Sequence, residues 1–226
     1  MQLYLECPCT SFPRSFARDF KETYQYPPPS TIYGMLLSLV GEVDILAHTG
    51  VKIAIGIIGT DSPISRIVRK QRHHQFSKTH AGTYPTSQFS MPNHQELLTD
   101  VRISIRIDST NEASMVKLVD RIAIALSTPS QISRFGGLSL GESWCLINGV
   151  RAYRESDGEV RWLVRDKRGL IGLPVWIDRV TTQGTFSRFS LGESSDTFSE
   201  DCWVSIAPPV VAATKAVKAS RKKKTD

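Results

Sequence analysis

No aspartate or glutamate occurs in residues 62–95, no cysteine pair is spaced C-x-x-C, and no apolar run is long enough for a membrane span. A bilayer-crossing helix needs about 18–20 apolar residues in succession, so none is expected here and no membrane association with it. The four cysteines are Cys7, Cys9, Cys145 and Cys202, and only the first two are neighbours. At i and i+2 they share one face of a strand, as small buried hydrophobes rather than zinc ligands. That usage fits a reducing, cytoplasmic setting. The opening MQLYLECPC has neither the basic region nor the long apolar region of a secretory signal.

Phosphate-loop chemistry is missing too. There is no G-x-x-x-x-G-K-[ST], and no G-x-G-x-x-G follows a strand, so no cofactor is expected. His73 and His74 are adjacent, so in a strand they point to opposite sides, and without nearby carboxylates they make a poor metal cage. One motif, Gly137-Leu138-Ser139-Leu140-Gly141, fits the G-x-S-x-G of a hydrolase elbow. An elbow needs a strand before the serine, a helix after it and a later histidine. Here a helix is expected before it and a strand after it, and the last histidine is His94. Glycines there serve positive φ or the close approach of a backbone instead.

What is present is an ordinary globular composition, 40% hydrophobic and 22% charged over 226 residues, sized for one domain or one and a half. The net charge of +6 is uneven. Residues 215–226 hold six basic residues and one acid, leaving +1 for the other 214. Such a tail is a solvated, disordered end, with weak contact to a nucleic-acid backbone as its second use. The acid-free window 62–95 carries Arg66, Arg69, Lys70, Arg72 and Lys78 with His73, His74, His80 and His94, a local field that attracts a polyanion.

Periodicity sets the elements. QLYLECPC alternates as a first strand, and SFPRSFARDFKETY reads as an irregular loop with basic and aromatic residues interleaved. Ile32, Met35, Leu36, Leu39 and Val40 form one stripe of a helix over about 31–41, capped by Ser30 or Thr31 and closed by Gly41. VKIAIGIIG (51–59) is a β-branched strand, and residues 62–95 read as a protruding hairpin. VRISIRID (101–108) sends Val101, Ile103, Ile105 and Ile107 inward and Arg102, Ser104 and Arg106 outward. A second helix is predicted over about 111–126, capped by Asn111, with Met115, Leu118, Val119, Ile122 and Leu126 on its stripe and Thr128-Pro129 ending it. A glycine-rich turn, RFGGLSLGES, then leads into a strand, WCLINGVRAY.

With the hairpin set aside the order is β-α-β-β-α-β, so the expected class is α+β: a ferredoxin-like or RRM-like sheet with both helices on one face. Residues 1–155 form this part with its hairpin at about 62–95, residues 156–210 a small β appendage of uncertain pairing, and 211–226 the basic tail.

Two readings of YPPPSTIYG stay open. The prolines aim free N–H groups of the helix start outward to hold a phosphate, or they simply end a loop before a core helix. Arg14 and Arg18, with Phe12 and Phe16, lie just upstream. Cations for a backbone and rings for bases are the equipment of single-stranded RNA binding. Histidine-driven RNA cleavage is the alternative, with His73, His74 and His80, Lys70 and Lys78, and Tyr24 or Tyr26 as its groups.

The stretch FARDFKETYQYPPPSTIYGMLLSLVGE resembles the N-terminal signature of the CRISPR-associated Cas-five family, at Pro29, Ser30, Thr31, Gly34 and Leu36. RFGGLSLGES resembles that family's second glycine-rich element, and the two with the element order cover roughly residues 1–155. The resemblance implies an RRM-like palm with a β-hairpin thumb at about 62–95. Such a subunit caps the 5′ handle of the crRNA and docks on the backbone and large subunits of a Cascade complex. RNA contacts implied are Arg14, Arg18, Ser30, Thr31, Arg66, Arg69, Lys70, Arg72, His73, His74, Lys78 and Arg134. The family's processing branch uses a tyrosine, a lysine and a histidine at the palm. No such trio can be placed here, so another subunit is expected to cut the precursor. Compactness and the basic tail point to a type I-B-like system recruited by a transposon, with target DNA and transposition proteins as further partners.

Overall fold

Alternating apolar residues build the centre of the protein. The computed structural model describes residues 1–14, 20–72, 90–178, 183–194 and 198–209. In chain order the elements are β1 (Gln2–Thr10), β2 (Phe20–Lys21), α1 (Pro29–Leu39), β3 (Lys52–Ile58), β4 (Ile64–Arg72) and β5 (Ser90–Asp108). They continue with α2 (Leu118–Ser127), β6 (Gly149–Ala152), β7 (Val160–Arg165), β8 (Ile171–Ile177), β9 (Gly184–Leu191) and β10 (Val204–Ser205). The main sheet path is β6-β1-β5-β3-β7-β9-β8, with antiparallel neighbours throughout. The first four positions along it hold β6, β1, β5 and β3. No helix among the described residues is long and apolar enough to cross a membrane.

Period two sorts the two faces of the sheet. Leu3, Leu5, Ile53, Ile55, Ile103, Ile105 and Ile107 form one core with Ile32 and Leu36 of α1 and Leu118 and Ile122 of α2, so both helices cover the same face. The alternate residues Ala54 and Ile58 join Val160, Trp162 and Cys202 on the other face, where Tyr4, Phe198 and Trp203 pack against them. That face is not an open solvated one. Ser104, expected outward, is fully buried and accepts a hydrogen bond from Gln2 Nε2 at 2.8 Å. Arg106 lies over the rings of Phe198 and Trp162, 4.0 and 4.9 Å from their centres.

Several boundaries move for physical reasons. The helix predicted at 31–41 begins at Pro29 with Pro28 as its cap, and neither Ser30 nor Thr31 caps it. Pro28 is extended and Pro29 occupies the first turn, which suits a residue without an N–H. Gly41 does end the helix, at φ 70°, with its N–H bonded to Ser38 O. The second helix runs over Leu118–Ser127 rather than 111–126, Asn111 does not cap it, and Met115 is fully exposed. Residues ahead of it loop so that the Glu112 carboxylate accepts the Leu118 N–H at 3.0 and 3.1 Å, which anchors the helix start in place of a neighbouring cap. Of the strand predicted in WCLINGVRAY, only Gly149–Ala152 is strand, because Leu140 and Ile147 N–H groups close a local turn onto Cys145 O and Leu138 O. Beyond residue 159 the strands extend the central sheet: β7 pairs β3 through Gly56↔Trp162, and β10 pairs β3 through Val204↔Ile53. Gly56 makes that approach possible, since a Cβ there would lie 2.1 Å from Val160. The basic tail lies outside the described residues.

A polar chain ties α2 to the 42–50 loop. Arg121 Nη1 contacts Glu42 Oε2 at 2.5 Å and His48 Nε2 at 2.9 Å, and Nη2 donates to Val40 O at 3.1 Å. A guanidinium only donates, so Nε2 of His48 accepts and the ring proton sits on Nδ1, directed at Glu112. Arg121, with the N–H groups of Asp44 and Val43, holds the Glu42 carboxyl down at a pKa of about 2. A depressed carboxyl pKa adds stability that is complete above the unfolded-chain value and lost as pH falls through the folded value. The Glu42→Gln variant should therefore lose the part of the urea-midpoint decline that wild type shows from pH 4.5 down to about 2. Parallel titrations of wild type and variant across that window read it directly.

Candidate nucleic-acid interface

The hairpin is real in its lower half. β4 and β5 pair from Ile64↔Leu98 to Arg72↔Ser90, and residues 73–89 lie outside the described ones. Because side chains alternate, the ribbon base has two chemically distinct faces. Arg66 stands opposite Glu96 and His94 opposite Val68 on one face; Ile67 stands opposite Gln95 and Arg69 opposite Asn93 on the other. β2 extends both, pairing parallel to β5 with Phe20 at His94 and Lys21 at Gln95.

On the first face the Arg66 guanidinium lies 5.9 Å from the Phe20 ring centre and 3.4 Å from Glu96. The Phe20 and His94 rings are 6.5 Å apart. The other Glu96 oxygen accepts the Thr23 N–H at 3.2 Å, which sets the loop after β2 on the hairpin. On the second face Glu142, delivered by the glycine-rich turn, accepts from Gln95 Nε2 at 2.6 Å and Trp144 Nε1 at 2.7 Å. Lys21 and Arg69 approach the same carboxylate at 3.8 and 4.0 Å. Arg69 also donates to Gln95 Oε1 at 3.2 Å and lies 4.8 Å over the Trp144 ring.

The glycine-rich turn reaches this place because Gly141, at φ +83°, lets its backbone press on β1. A Cβ there would sit 2.2 Å from Ser11 O, and Thr10 Oγ1 donates to Leu140 O at 2.5 Å.

Of the residues singled out from sequence, Arg66 and Arg69 lie at the hairpin base, on its opposite faces. Lys70 and Arg72 follow in β4, at register positions facing Pro92 and Ser90. Arg14 is an exposed neighbour of Glu22 at 3.4 Å and sits over Tyr24 at 5.6 Å. Ser30 is committed elsewhere: its hydroxyl donates to Pro174 O at 3.0 Å and fastens the start of α1 to β8. Pro27, Pro28 and Pro29 are buried, and the Thr31 and Ile32 N–H groups both return to Pro28 O. Arg134 lines a separate cleft of about 510 Å³ between the end of α2 and the glycine-rich turn. Arg18, His73, His74 and Lys78 lie outside the described residues.

Phe20, Gln95, Glu96, Glu142 and Trp144 were not singled out. Phe20 lay within the aromatic-basic stretch, and Glu96 is the first residue after the acid-free window. Glu142 and Trp144 follow the glycine-rich turn directly, but nothing in their spacing announces contact with the hairpin. The acid-free window is thus partly neutralised in space by two glutamates from outside it.

No three His, Cys, Asp or Glu side chains among the described residues are grouped to hold a metal. Burial pushes the Cys7 thiol up to about 12, so it is no nucleophile at neutral pH.

No family model matches the chain. It is 36% identical over 193 residues to a protein named CRISPR-associated protein Cas5 from Myxococcus xanthus (strain DK1622), spanning 84% of this chain and 87% of that one. In fold it is similar to a chain of a solved CRISPR RNA-guided surveillance complex, at TM-score 0.59 and 14% identity, over 85% of this chain and 90% of that one. A solved structure described as a Cas protein aligns at TM-score 0.45 and 11% identity, over 86% and 94% of the two chains.

Proposed function

Because the chain belongs to the CRISPR-associated Cas5 family, we propose that it is a non-catalytic RNA-binding subunit of a type I Cascade-like complex. It caps the 5′ handle of the crRNA and contacts the neighbouring backbone and large subunits. The observation that carries the reading is the base of the β4–β5 hairpin, where Arg66, Arg69 and Lys21 stand beside Phe20 and Trp144. Cations hold a phosphate backbone and rings accept unpaired bases, a combination suited to single-stranded RNA. Four strands in the order β6-β1-β5-β3, with α1 and α2 on one face, support an RRM-like palm from which this hairpin projects as a thumb.

The test is direct binding of the purified chain to a fluorescent repeat-derived 5′ handle over a range of salt concentrations. Affinity should fall linearly with salt on a log–log plot, as counterions are released from the phosphates. In EDTA, precursor RNA incubated with the chain should stay intact. Specific cleavage that vanishes in a His73→Ala, His74→Ala variant would instead make it a metal-independent endoribonuclease.

A further inference from the structure

Trp144 is the residue at this interface whose state the fold alone does not require. A tryptophan is ordinarily well buried, yet this one is 40% exposed. It is nevertheless held in one orientation. Its Nε1–H donates to Glu142, Glu142 accepts from the fully buried Gln95, Gln95 accepts from Arg69, and Arg69 lies on the Trp144 ring. That closed circuit fixes the ring with Arg69 against one side and still leaves it 40% exposed. The peptide carrying it is fixed as well: Cys145 is buried, its N–H bonds Glu142 O at 2.9 Å, and its carbonyl accepts the Leu140 N–H at 2.9 Å.

We propose that Trp144 is a stacking platform for one unpaired nucleobase of single-stranded RNA, with Glu142 as its positioning residue. The inference rests on the RNA-binding reading above and names the residue that takes a base. One side of the ring carries the Arg69 guanidinium. Lys21, 3.8 Å from the same Glu142, supplies a second cation nearby. The ligand this suits is planar and attached to a negative charge, as a nucleotide is: its base on the indole, its phosphate near Arg69 and Lys21. A duplex is excluded, since its bases are already stacked on each other.

Stacking and phosphate contact separate experimentally because only the second releases counterions. Trp144→Ala should weaken handle binding about tenfold at fixed salt, with the salt slope unchanged. Arg69→Ala should weaken binding and also make the slope shallower. Trp144→Phe should restore most of the affinity. Handle RNAs with a single abasic site, scanned through the sequence, should reveal one position where wild type binds more weakly and Trp144→Ala adds no further loss. Thermal melts of each variant confirm folding.

Wild-type affinity in Trp144→Ala, while Arg66→Ala and Arg69→Ala bind weakly, overturns the platform and leaves RNA binding standing. Equal loss by Trp144→Ala at every abasic position overturns it as well. If Trp144→Ala spares RNA but no longer co-purifies with neighbouring subunits, the ring is a protein contact and the proposal fails. If wild type ignores the handle altogether, the underlying reading fails with it.

Discussion

Alanine at Arg66, Arg69 and Arg72 together should lower affinity for a 5′ handle RNA by about 100-fold near 0.1 M salt and reduce the salt slope by about 2. The slope change follows from about 0.7 counterion released per phosphate neutralised on a single strand, lost at three cations. The fold should tolerate the change. Arg66 is highly exposed, its 3.4 Å pair with Glu96 is a surface pair, and such pairs contribute about 0–1 kcal/mol. Since Arg66 and Arg69 face opposite sides of the ribbon and have different partners, their single effects should add. Arg69→Ala should cost more than Arg66→Ala, because its guanidinium lies closer to its ring, 4.8 Å over Trp144 against 5.9 Å for Arg66 over Phe20. Anisotropy titrations of the three single variants and the triple at four salt concentrations measure all of this. Affinity retained in the triple variant would mean that the hairpin is not where the RNA is held.

Glu112→Ala is expected to be strongly destabilising. The carboxylate is buried and accepts from Leu118 N–H while facing His48 Nδ1, so its removal leaves both donors without a partner, although Arg121 keeps Glu42 and Val40 O. Leaving a buried donor without an acceptor costs about 1–3 kcal/mol, so the two together cost about 2–6 kcal/mol. For a chain of this size that lowers Tm by about 10 °C, measurable by far-ultraviolet circular dichroism. Glu112→Gln keeps an acceptor but not the charge and should fall between. A Glu112→Ala loss below about 1 kcal/mol, the size of an ordinary neutral hydrogen bond, would show that the helix start does not depend on this carboxylate.

The sheet was legible where periodicity and burial agree. VRISIRID alternates because one face meets both helices, VKIAIGII runs apolar because Ala54 and Ile58 are buried on the other face as well, and the α1 stripe meets the helix-side core. The start of α2 was not legible, because Asn111 looks like a cap by local rules. The group that caps the start of the helix is Glu112, acting across a loop and in company with His48, far away in the chain. Ser104 was misread because alternation says which face a residue takes, not what will cover that face. Here Phe198 and Trp203 do, from beyond the last long strand. At the candidate site the basic window was visible, but its division between two faces follows from register, and its partial neutralisation by Glu142 follows from a turn 47 residues from Gln95. Only folding joins such groups.

β5 is a strand of 19 residues that passes through one left-handed residue, Asp100 at φ 52°, and pairs with β4 along the hairpin and with β1 and β3 inside the central sheet. Hairpin and sheet therefore share a backbone, with no linker between them to stretch. A pull along the hairpin loads the β1 and β3 ladders in shear, where many hydrogen bonds must break together, instead of unzipping them one at a time. Under tension, whatever the hairpin grips should slip from it well before the hairpin tears loose from its base.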